Sequence, residues 1–133
     1  MPIARGTFEV QLQPQQEPDA ADGTALGRMS IDKRIHGDLE ATTRGQMLSA
    51  VTATQGSAGY VAIERVSGAL QGRSGTFVLQ HSGSMERGAQ TLSISVVPDS
   101  GTGELVGLAG VFRLRIEGGQ HFYELEYSLS GVA

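Results

Sequence analysis

Apolar and polar residues alternate with a period of two along most of this chain, and short glycine-containing breaks separate the alternating runs. That period marks half-buried β-strands, because successive side chains of a strand point to opposite faces. Thr7-Phe8-Glu9-Val10-Gln11-Leu12 puts Phe8, Val10 and Leu12 on one face. The polar stretch 13–24, with Pro14, Pro18 and Asp22-Gly23, reads as a mobile loop. Residues 25–36 read as a strand with Met29, Ile31 and Ile35 together, ended by a turn at Gly37-Asp38. Residues 39–53 form a long, weakly apolar strand with Gly45 as a bend point. Residues 59–70 and 73–84 flank Gln71-Gly72, which fits a two-residue type I′ hairpin. Residues 89–97 group Leu92, Ile94 and Val96, and the run Pro98–Gly103 breaks that strand. Residues 104–109 read as one helical turn with Thr102 as its N-cap. A last hairpin, 110–117 and 120–129, turns at Gly118-Gly119.

The pattern amounts to eight strands and no long amphipathic helix to cover an open sheet. Closure removes the exposed edges, so the expected architecture is all-β: a single eight-stranded antiparallel β-barrel over residues 1–133, with a sandwich as the alternative. The hairpin turns then set register, and register sets faces. Counting from Gln71-Gly72 pairs Val66 with Phe77, Glu64 with Leu79 and Ala62 with His81. Tyr60, Ala62, Glu64, Val66, Phe77, Leu79 and His81 share a face, which the aromatics assign to the lumen. Glu64 and His81 become diagonal neighbours, about 7–8 Å apart at Cα. Counting from Gly118-Gly119 separates a charged outer face (Arg113, Arg115, Glu124, Glu126) from a lumen face with Phe112, Tyr123 and Tyr127.

Composition narrows the chemistry. The 133 residues include 19 Gly, no Cys and no Trp. There is therefore no disulfide framework, no thiolate metal site and no Cys nucleophile. No apolar run is long enough for a membrane-spanning helix. Ten bases against fourteen acids give a net charge of −4, and no basic cluster carries interleaved aromatics, which argues against a nucleic-acid partner. Lys33 is the single lysine, the other nine bases being arginine. Met1–Arg5 lacks a basic segment followed by an apolar one, so a cytoplasmic location is expected.

The run from Glu64 to Gly83, ERVSGALQGRSGTFVLQHSG, resembles the bacterial domain-of-unknown-function family 3224. So do Val97–Gly110 and the ending that carries Gly119, His121, Tyr123 and Tyr127. The resemblance extends from Gly6-Thr7-Phe8 to Leu129. That family is similar in fold to allene oxide cyclases, so the resemblance implies an eight-stranded, lipocalin-related barrel and leaves the activity open.

Within such a barrel Glu64 and His81 are the candidate catalytic residues, an acid/base pair able to shift a proton without metal or cofactor. Tyr60, Phe77, Leu79, Tyr123 and Tyr127 are the candidate ligand-binding residues, the tyrosines offering hydroxyls to orient a ligand. The expected ligand is a small apolar molecule in the lumen. A cyclase or isomerase is the expected class, with a lipocalin-like carrier or a structural oligomeric barrel as the alternative and a hydrolase behind both. Outward apolar residues such as Val61, Ile63 and Val78 point to a homo-oligomer.

Overall fold

The structure, a computed structural model, describes residues 1–129. Eight strands close in sequence order into an antiparallel barrel: β1 (Ile3–Pro14), β2 (Ala25–Gly37), β3 (Leu39–Val51), β4 (Ala58–Leu70), β5 (Arg73–Glu86), β6 (Ala89–Val96), β7 (Leu108–Glu117) and β8 (Gln120–Leu129). Closure is made by β1 on β8, with Ala4 opposite Leu125 and Phe8 opposite His121. Inward positions follow the period-two count: Ala62, Glu64, Val66, Phe77, Leu79 and His81 are all buried. Both counted registers hold, Val66 opposite Phe77 and Leu114 opposite Tyr123.

The turns explain why. Gln71 and Gly72 have φ of 47° and 87°, and Gly118 and Gly119 have 56° and 79°. Two consecutive positive φ values make the type I′ turn whose twist matches that of its flanking strands. A third such turn, Arg87-Gly88 with φ of 50° and 93°, joins β5 to β6. It went unread because arginine is a poor residue for positive φ.

Two local expectations need correction. Residues 104–109 are not one helical turn: a short 3-10 segment covers Gly103–Leu105, and β7 begins at Leu108. Thr102 does not cap it with its side chain. Its hydroxyl instead accepts from the Thr76 backbone N–H at 3.0 Å and meets the Thr76 hydroxyl at 2.7 Å, tying the β6–β7 connection to β5. In the segment after β1, an isolated bridge pairs Asp19 with Leu26 and a 3-10 turn spans Ala21–Gly23.

The two ends of the barrel differ. The lower end carries the 37–38 and 71–72 turns and the 97–107 connection. Leu39, Leu70, Leu105 and Leu108 fill it, all 2 % exposed or less. The upper end carries the turns after β1, β3, β5 and β7, and its inward side chains are half-buried (Met29, Met47, Tyr60, Met85) or exposed (Leu12, Leu92). Of the expected outward apolar residues, Val61 and Ile63 are exposed, whereas Val78 is half-buried, its N–H held by Ser100.

Candidate functional site

Four polar side chains from three strands form a line inside the barrel. Lys33 of β2 donates to Glu64 Oε1 at 2.8 Å, and His81 Nε2 approaches the same oxygen at 2.6 Å. The Tyr60 hydroxyl lies 3.2 Å from His81 Nδ1. Lys33, Glu64 and His81 are buried, and Tyr60 is half-buried. Such charges survive in an apolar interior only when paired and hydrogen-bonded. The Lys33 ammonium also sits over two aromatic rings, 5.0 Å from the Phe8 centroid and 5.6 Å from that of Phe112. Glu64 Oε2 and Thr43 Oγ1 are buried with no hydrogen-bond partner.

Glycines make this line possible. Gly45 lies opposite Glu64 on β3, where an added Cβ would come within 2.5 Å of the Glu64 Cβ. A Cβ at Gly83 would come within 2.5 Å of the Tyr60 ring. Both positions have to be side-chain-free for Glu64 and Tyr60 to hold these places.

Electrostatics assigns the protonation states. Burial pushes the Glu64 carboxyl up, but hydrogen bonds from His81 and Lys33 together with the Lys33 charge outweigh it and bring its pKa down to about 2. Glu64 is therefore a permanent carboxylate at neutral pH. Burial, reinforced by the Glu64 charge, pushes the Tyr60 phenol up, so Tyr60 keeps its proton. Because Glu64 can only accept, His81 Nε2 carries a hydrogen in either ring state. In the singly protonated ring, Nδ1 is then the acceptor of the Tyr60 hydroxyl.

Tyr60 is the member of this line that borders the upper mouth. A cavity of about 280 Å3 occupies the upper mouth, and Tyr60, Met47, Met85 and Leu92 are among its walls. Met29 is the cross-strand partner of Met47, so every methionine other than Met1 belongs to the upper half of the barrel. Thioether side chains adapt to irregular apolar shapes. Glu64 and His81 do not line this cavity; they stand behind Tyr60.

A model of the family described as protein of unknown function (DUF3224) matches residues 4–127. The chain belongs to the DUF3224 family. It is also similar to a crystal structure of a DUF3224 protein of unknown function from Shewanella oneidensis MR-1, at 50 % identity over 99 % of each chain with a TM-score of 0.95. No curated protein matches the chain. In this DUF3224 barrel the expected site residues divide into two groups. Tyr60, Glu64 and His81 come together with Lys33. Phe77, Tyr123 and Tyr127 lie elsewhere, and Leu79, directly opposite Glu64, adds only apolar surface. Phe77 and Leu79 are core, at 1 % and 0 % exposure. The Tyr123 hydroxyl donates to the His36 carbonyl at 2.9 Å and accepts from the Leu39 N–H at 3.0 Å, and its ring stacks on Phe112. The Tyr127 hydroxyl donates to the Gln71 side chain at the lower end. Lys33 is the residue that sequence reasoning missed. Its signal was parity, since it falls between Ile31 and Ile35 on the inward face of β2.

Proposed function

We propose that this barrel holds a small, largely apolar molecule in its upper mouth and shifts a proton on it through Tyr60, as a cofactor-independent isomerase or cyclase. The observation that carries the reading is the unbroken line from the cavity wall inward: Tyr60, His81, Glu64, Lys33. The ligand gives a proton to the Tyr60 oxygen while the Tyr60 proton passes to His81 Nδ1. The imidazolium so formed faces the Glu64 carboxylate at 2.6 Å, which stabilises it. The reverse transfer returns a proton to a different atom of the ligand. Nothing is consumed, so no metal or cofactor is required. The lining chemistry supports an apolar ligand with one polar group positioned over Tyr60. The allene oxide cyclase resemblance is consistent with this class of reaction.

A carrier is the second reading, favoured by the burial of Glu64 and His81 behind the cavity wall. Tyr60→Phe separates the two. A set of small apolar ketones and epoxides is incubated with the protein in D2O, with deuterium incorporation followed by mass spectrometry and binding followed through the methionine methyl resonances. An isomerase incorporates deuterium into a ligand that shifts Met47 and Met85, and Tyr60→Phe abolishes incorporation while binding persists. Binding without incorporation in the wild type establishes the carrier. Absence of any shift at Met47 and Met85 overturns both.

A further inference from the structure

A second recessed region lies on the outside of the barrel and shares no residue with the mouth cavity. It measures about 700 Å3 and follows two outward rows of side chains that cross β1 to β4. The upper row is Gln11, Asp32, Arg44 and Arg65 in direct register; the lower row is Glu9, Arg34, Thr42 and Ser67. Arg44 and Arg65 are therefore opposite one another on neighbouring strands, and Arg34 is diagonal to Arg44. Like charges placed directly opposite across a sheet oppose folding.

Asp32 stands directly opposite Arg44 and Glu9 directly opposite Arg34, but neither carboxylate comes within ion-pair distance of an arginine. Among the described residues, no ion pair involves Arg34, Arg44 or Arg65. Three arginines elsewhere have carboxylate partners, Arg5 with Glu124, Arg113 with Glu126 and Arg115 with Glu117, whereas Arg28, Arg73 and Arg87 have none among the described residues. Glu9 is engaged by His36 at 2.9 Å, and Asp32, the one other acid in the groove, makes no ion pair. Three guanidiniums against Glu9 and Asp32 leave an excess of one positive charge in a recess of a protein whose net charge is −4. Thr42 and Ser67, opposite each other in the lower row, add neutral hydroxyl donors.

We propose that this groove is a binding site for a polyvalent oxoanion, a phosphate-bearing or polycarboxylate small molecule. Arg44 and Arg65 grip it, and Arg34, Thr42 and Ser67 complete the donor set. The guanidinium fork presents paired N–H groups that match two oxygens of a phosphate or carboxylate. The bound anion neutralises the Arg44–Arg65 repulsion, so binding and folding are coupled.

The full-length protein is titrated calorimetrically with inorganic pyrophosphate and, separately, with citrate, in buffer of matched ionic strength made with chloride. Saturable one-to-one binding of at least one probe is expected, and the stronger probe names the source as phosphate or polycarboxylate. Arg44→Gln/Arg65→Gln weakens it by a factor of about ten or more, since each charge-assisted contact is worth about that much. Arg113→Gln, on the far side of the barrel, leaves it unchanged. In chloride alone, Arg44→Gln melts higher than the wild type, and the probe raises the melting temperature of the wild type more than that of the variant. Absence of saturable binding by both probes, or equal affinity in the double variant, overturns the site. Tyr60→Phe keeps oxoanion binding, so failure of this proposal is distinguishable from failure of the mouth-cavity reading.

Discussion

Glu64 and Lys33 are both buried and inward by parity, yet only Glu64 was read as a lumen residue. Glu64 was legible as a lumen residue because the Gln71-Gly72 turn pins its register to Leu79, and His81 followed by the same count. Lys33 occupies an equally inward position on β2, yet a lysine in a strand is ordinarily taken as solvent-facing. Only the Glu64 carboxylate and the Phe8 and Phe112 rings make its burial tolerable. The linkage to pH has a definite sign. The folded Glu64 pKa of about 2 lies below its ordinary 4.5. Its ionised form thus contributes stability that is fully present above pH 4.5 and is lost as pH falls toward 2. A depression of that size corresponds to about 3 kcal/mol. Glu64→Gln leaves the Lys33 ammonium buried without a counter-charge, which costs about 3–5 kcal/mol at neutral pH. Urea unfolding from pH 7 to pH 2 checks both statements: the wild type loses stability below pH 4.5, and the gap between wild type and Glu64→Gln narrows over the same interval. A gap of constant width would show that the carboxylate charge is not what Lys33 and His81 hold.

At the level of strands and turns, the legible features were local ones. Period-two alternation fixed which face of each strand is buried, and two glycine-containing turns fixed register, because both signals lie within a few residues of where they act. What escaped depended on distant partners. Thr102 has the composition of a helix cap, yet its hydroxyl is taken by Thr76, 26 positions away. Gly45 was expected as a bend point, but β3 runs unbroken through it; the glycine is needed because the Ile63 carbonyl and Glu64 Cβ on β4 crowd the place where its Cβ would stand. Both are parts of a strand in full register with β3, so neither can move away cheaply. Gly45→Ala therefore destabilises by about 1–3 kcal/mol, the usual cost of overpacking, and displaces Glu64 from Lys33 and His81. Its thermal unfolding and the nitrogen chemical shifts of His81 report the two consequences separately. Gly72→Ala, at a solvent-facing turn with nothing within 4 Å of the added Cβ, serves as the comparison: it loses only the backbone preference for positive φ and leaves the His81 shifts unchanged.

Viewed whole, the barrel is filled by core side chains at its lower pole, with a separate recess of about 360 Å3 beside Gln71 and Tyr127, and is open at the upper one; its three tyrosines are divided between the poles. Tyr123 and Tyr127 close the lower end by hydrogen bonds to the His36 carbonyl and Leu39 N–H and to Gln71, whereas Tyr60 opens onto the upper mouth. All three phenols were legible as inward-facing, but parity says nothing about height along the barrel axis, so the sequence could not separate a plug from a cavity wall. The division predicts opposite responses to the same chemical change. Tyr123→Phe keeps the ring on Phe112 and removes only the oxygen, leaving the buried Leu39 N–H without that acceptor. An unsatisfied buried donor costs about 1–3 kcal/mol, so the melting temperature falls while ligand-induced shifts at Met47 and Met85 are unchanged. Tyr60→Phe removes an oxygen that is half-buried at the wall of a cavity. Its His81 partner keeps the Glu64 contact, so stability changes less than in Tyr123→Phe, while proton exchange with a bound ligand stops. Melting curves and methyl spectra of the two variants, measured side by side, test this division of labour. If Tyr123→Phe disturbed the mouth as much as Tyr60→Phe does, the two poles would be one cooperative cavity and the lower end would belong to the site.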